Sequence, residues 1–174
     1  GNKKAAMRLL EEAIKNIPDD PELIYSEVLL LDPYQDQDKL DKLLKKLLEI
    51  EPNSPTYLNA YAYTLALQNR RLDEARQYVE HALEFAPEQA SILDTLGYIT
   101  FLQNDFKTSA LVLEKAYKIS QSAKIGVRYA KALYMQGDLT KFNHVLQQLQ
   151  KKHPNDPQLE QLKSLLLPPH MKKS

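Results

Sequence analysis

Small and aliphatic side chains recur along the chain in one arrangement. Ala6, Leu10 and Ala13 are spaced four and then three residues apart. The same spacing returns at Leu40, Leu44 and Leu47, at Ala75, Val79 and Ala82, at Ser109, Leu113 and Ala116, and at Phe142, Leu146 and Leu149. That spacing lines up one face of an α-helix. Four of these helices close on a proline five residues later: Pro18, Pro52, Pro87 and Pro154. The fourth set closes instead on Gln121. The chain therefore repeats itself about every 34 residues, a period that belongs to stacked helical units.

The other half of each unit is helical too. Asp20-Pro21, Ser54-Pro55 and Asp156-Pro157 place an N-cap acceptor before a proline at the first helical position. There the missing N–H costs nothing and the cap satisfies an orphan donor. These pairs predict helices over 21–32, 55–68 and 157–167, and the same pattern predicts helices over 88–103 and 123–136. Polar turns follow at Gln68-Asn69-Arg70-Arg71, Gln103-Asn104-Asp105 and Gln136-Gly137-Asp138. No window alternates apolar and polar residues as strands do. The fold class is all-α, an α-solenoid of antiparallel helix pairs. Its register gives a half repeat at 1–20, full repeats at 21–54, 55–89, 90–123 and 124–156, a capping helix at 157–167 and a disordered tail at 168–174.

The stretch Ala60–Pro87, followed by Ile92-Leu93-Asp94-Thr95-Leu96-Gly97-Tyr98, resembles tetratricopeptide repeats (TPRs) of the bacterial type. Leu93, Leu96, Gly97, Phe106 and Ala116 fit that family's pattern in one unit, and Ala75, Ala82 and Pro87 fit it in the preceding one. The match is weakest at 21–52, where Glu27 stands at a leucine position and Leu40 and Leu47 replace alanines. The resemblance implies an interaction scaffold like the C-terminal repeats of TPR proteins of envelope, secretion or exopolysaccharide systems, in the bacterial periplasm or envelope rather than the cytoplasm. A solenoid opening in mid-pair exposes an apolar face, so Gly1 reads as a cloning remnant and the chain as the C-terminal piece of a longer one. The alternative is a regulatory or architectural segment of a larger enzyme or complex whose active part lies elsewhere.

In that family, set positions of each first helix line a concave groove. Carried over, they include Tyr25, Tyr57, Tyr61, Asp94, Tyr98, Phe101, Lys124, Arg128, Lys131 and Tyr134. Half of the ten tyrosines fall in this set, so the expectation is an exposed aromatic stripe that anchors a partner segment. The basic cluster at Lys124, Arg128 and Lys131 sits on one helix face and suits an acidic group on that protein or peptide. Of the clamp with which some TPRs hold a terminal carboxylate, only Lys124 and Arg128 match, because Ala60, Thr64 and Thr95 occupy the other positions.

Charge narrows the partners. The chain has 23 basic and 23 acidic residues and a formal net charge of zero, whereas nucleic-acid affinity rests on a surplus of cations. No apolar run reaches the roughly 20 residues of a membrane-spanning helix. There is no cysteine, hence no disulfide, thiol chemistry or thiolate-held metal. His81 and Glu84 share a helix face but make no closed metal site. His153 suits a helix C-terminus, where a partly charged imidazole meets the dipole. Isolated glycines form no phosphate-binding loop. The sequence predicts no enzyme, cofactor or metal.

Overall fold

The computed structural model describes residues 2–165. Among them are ten helices and no strand: α1 (Asn2–Asn16), α2 (Pro21–Leu30), α3 (Gln37–Ile50), α4 (Pro55–Leu67), α5 (Leu72–Phe85), α6 (Ala90–Leu102), α7 (Phe106–Ser120), α8 (Ala123–Gln136), α9 (Leu139–Lys152) and α10 (Gln158–Leu165). The expected tail at 168–174 and the last two residues of the expected capping helix lie outside the described residues. The chain divides into two compact units, Gly1–Pro87 with α1–α5 and Glu88–Ser174 with α6–α10. Each consists of helices packed on their sequence neighbours.

Capping follows the local chemistry unevenly. Asp20 Oδ1 accepts the Leu23 N–H at 2.9 Å, and Asp156 Oδ1 accepts that of Gln158 at 2.9 Å. Ser54 makes no side-chain cap bond, so α4 relies on Pro55 alone for its start. The turns between paired helices need left-handed backbone, adopted by Asn69, Arg71, Asn104 and Gly137. Gln121, which stands where the other repeats have proline, adopts it as well, with φ 52°.

In the first unit, Leu40, Leu44 and Leu47 of α3 are essentially inaccessible. Glu27, the misfit on α2, is buried beside them, and its carboxylate meets Lys39 Nζ at 2.6 Å. A lysine from the next helix thus supplies what the apolar environment denies. In the second unit the small residues govern spacing. A Cβ added at Gly97 would lie 2.6 Å from Leu113 Cδ2, and one at Gly126 would lie 2.5 Å from Leu149 Cδ2 and 2.8 Å from Tyr117 Cε2. Those glycines let α6 and α8 approach the second helices of their own and the preceding pair. The Gly97 carbonyl uses the closeness, accepting from Ser109 Oγ at 2.7 Å.

Candidate functional site

In the second unit, first helices α6 and α8 place most, but not all, of the expected groove residues of that unit around one opening. Tyr98 and Phe101 come from α6, and Lys124, Val127, Arg128 and Lys131 from α8. With Leu113 of α7 and Gln158 of α10 they line a pocket of about 300 Å³. Phe101 is held edge-on against Phe106, ring centres 5.3 Å apart. The guanidinium of Arg128 lies over the Tyr98 ring, 4.4 Å from its centre. Such stacking is available to the planar guanidinium and favourable where water is excluded.

Arg128 is not a bare cation in this pocket. Its Nη1 meets Asp94 Oδ2 at 2.6 Å, and the two side chains are 18% and 8% exposed. Asp94 and Arg128 are 34 residues apart, one repeat length, so the pair joins successive first helices. Sequence reasoning placed both on the groove face without pairing them. The signal available was opposite charge at one repeat spacing. Lys124 is exposed and Lys131 half-buried, and these two set the sign at the rim. Gln158 was also missed, since it comes from the capping helix.

The other expected anchors are placed differently. Tyr134 packs its ring on Phe142, and its hydroxyl donates to the Leu165 carbonyl of α10 at 3.1 Å. The capping helix therefore claims it. In the first unit Tyr25 is half-buried against Tyr57, ring centres 5.2 Å apart, and Tyr57 itself is buried. Tyr61 is 1% exposed, which corrects the expectation of an exposed ring there. Its ring stacks on Tyr78 and its hydroxyl donates to Asp41, so both ends are consumed by packing.

Tyr61 belongs to a polar cluster that joins α3, α4 and α5. Arg71, fixed in the left-handed turn, reaches Asp41 Oδ1 at 2.6 Å and also pairs with Glu74. Burial opposes ionisation of Asp41, but hydrogen bonds from Lys45, Tyr61 and Arg71 outweigh it and hold the carboxyl down at about 2. Burial and the bond to Asp41 push the Tyr61 phenol up. A carboxyl whose folded pKa lies below its ordinary 3.8 stabilises the fold above that value. The contribution is lost as pH falls from about 4 to about 2. The first unit is expected to lose up to about 2 kcal/mol across that window. Asp41→Asn is expected to flatten this part of an acid-unfolding curve followed by circular dichroism, and an unchanged curve would count against the cluster's role.

Among the described residues no group of metal-ligating side chains converges, and no helix is long and apolar enough to cross a membrane. No protein-family model matches the chain. A TPR repeat-containing protein of Pseudomonas aeruginosa is 30% identical over 114 residues, 66% of this chain and 19% of that protein. The chain thus spans about a fifth of that relative's length. Among solved structures, MamA of Desulfovibrio magneticus RS-1 superposes with a TM-score of 0.77 at 18% identity, covering 90% of this chain and 89% of that one. YrrB, described as a TPR protein with an unusual peptide-binding site, gives 0.71 at 15% identity over 90% and 80% of the two chains. PilW, described as a widely conserved type IV pilus biogenesis factor, gives 0.57 at 15% identity over 92% and 90%. The repeating helix pairs, the glycine-dependent close packing and these likenesses agree: the chain has the tetratricopeptide-repeat fold and resembles bacterial TPR proteins in sequence as well as in structure.

Proposed function

We propose that the chain is a protein–protein interaction scaffold and that the pocket between α6 and α8 takes a segment of its partner. The observation that carries this is the pocket's composition. Tyr98 and Phe101 offer half-buried aromatic surface, the kind that dominates binding energy when a partner excludes water from it. The rim carries Lys124 and Lys131, and Arg128 pairs with Asp94 deeper in the pocket wall. An apolar side chain flanked by an acidic group is the complementary partner chemistry, with the charge acting mainly on encounter and orientation. That YrrB is described as having a peptide-binding site supports this use of the fold. That PilW is described as a pilus biogenesis factor supports an envelope assembly as the setting; fractionation of cells expressing the parent gene tests it, and a wholly cytoplasmic product would sink it.

The binding proposal is tested by capturing a partner with the intact chain and repeating the capture with Tyr98→Ala and with Gln147→Ala, an exposed position on α9. Loss with the first and retention with the second is the expected outcome. The reverse pattern would move the function away from this pocket.

A further inference from the structure

Helices α7, α8 and α9 enclose a second pocket of about 320 Å³ that shares no lining residue with the first. Its volume is at the lower end of small-molecule sites, which run from about 300 Å³ upward. Three observations meet there. The first is the break in the repeat at Gln121. Where other units turn on proline, Gln121 is left-handed and its side-chain amide donates to the Tyr117 carbonyl at 3.1 Å. The Gln121 amide oxygen accepts from Lys152 of α9, and its backbone carbonyl meets His153 Nε2 at 3.2 Å. A proline could supply only the last of these contacts. Departures from a local rule concentrate where a chain has a use for them.

The second observation is Tyr117. It lines this pocket at 5% exposure, and its hydroxyl has no hydrogen-bond partner. The ring rests on Gly126, where a Cβ would be 2.8 Å from Tyr117 Cε2, so it is seated by a close approach to α8. A buried hydroxyl without a partner costs about 1–3 kcal/mol. Phenylalanine would avoid that cost with the same packing.

The third is the balance of donors and acceptors. Glu114, the one carboxylate lining the pocket, is already engaged by Lys118 at 2.6 Å and by the buried Tyr129 hydroxyl. With Lys118 neutralising that carboxylate, the Tyr117 hydroxyl and the Lys152 ammonium are the donors left to set the pocket's balance. An ammonium carries three N–H donors and no acceptor. The pocket is therefore rich in donors and positively biased, and what completes it is an acceptor bearing negative charge.

We infer that this pocket binds a small oxyanion, a carboxylate or phosphoryl group on a ligand of modest size, with Tyr117 and Lys152 donating to it. The site is separate from the partner pocket, so either can stand if the other fails.

The experiment is calorimetric titration of the intact chain with inorganic phosphate, with citrate and with trehalose at matched ionic strength. Saturable binding of one anion and none of trehalose is expected, and the anion that binds tells phosphoryl from carboxylate ligands. Tyr117→Phe is expected to weaken that binding about tenfold while leaving the melting temperature unchanged or raised, a combination that a purely structural tyrosine would not give. Lys152→Gln, at an exposed position, is expected to weaken it likewise and carries the test alone if Tyr117→Phe unfolds. Absence of saturable anion binding at tens of millimolar, equal binding of trehalose, or an affinity unchanged by the informative substitutions would overturn the assignment.

Discussion

Leu113→Ala and Gly97→Ala are each expected to destabilise the second unit, and the double substitution to cost clearly less than their sum. Leu113 on α7 is fully buried, so truncation removes its transfer energy and leaves a void, about 2–5 kcal/mol together. Gly97→Ala has the opposite fault, since the new methyl would sit within 2.6 Å of Leu113 Cδ2. The Ser109 hydroxyl of α7 donates to the Gly97 carbonyl, so α6 cannot shift outward without loosening that bond. Overpacking of this kind costs about 1–3 kcal/mol. In the double variant the methyl introduced at position 97 enters the space that the leucine side chain vacates, and contacting pairs of this sort couple by roughly 0.5–3 kcal/mol. Denaturant midpoints of the wild type, the two single variants and the double variant measure the coupling. Strict additivity would mean that the contact between Gly97 and Leu113 does not govern the approach of α6 to α7.

That pair also shows why the fold was legible in the sequence. Gly97 fits the family's repeat pattern and leaves room for Leu113, and Gly126 leaves room for Leu149 and Tyr117, although at a different spacing along the chain. Periodicity carried the helices because each buries one face against its neighbours. The site was legible only in part. Groove positions can be counted along a first helix, and Tyr98, Phe101, Lys124, Arg128 and Lys131 do line one pocket. Whether a groove tyrosine is exposed depends on residues far away in the chain. Tyr61 is taken into the core by Asp41 and Tyr78, and Tyr134 is claimed by α10. No one-dimensional pattern records those contacts. Glu27 was visible as a misfit, but Lys39, which accommodates it, lies on the following helix.

Tyr98→Ala is expected to weaken partner binding by at least about 2 kcal/mol, some thirtyfold, with the loss appearing mainly in the dissociation rate. Tyr98→Phe keeps the ring on which Arg128 rests and is expected to retain most of the affinity. From sequence alone, Arg128 would be the natural residue to steer an acidic partner. Its burial with Asp94 changes that expectation. Arg128→Ala strands a carboxylate on a residue that is 6% exposed overall, a change that typically costs about 3–5 kcal/mol of stability, so its effect on binding would be confounded by unfolding. Steering falls to Lys124 and Lys131 at the rim. Replacing both with glutamine is expected to slow association while leaving dissociation and melting temperature nearly unchanged, and raised salt is expected to imitate the double variant. Kinetic traces with the captured partner at low and high salt separate the two contributions. If the lysine variant binds as fast as the wild type at low salt, the partner brings no acidic group to this rim, and the aromatic surface of Tyr98 and Phe101 alone defines what the pocket selects.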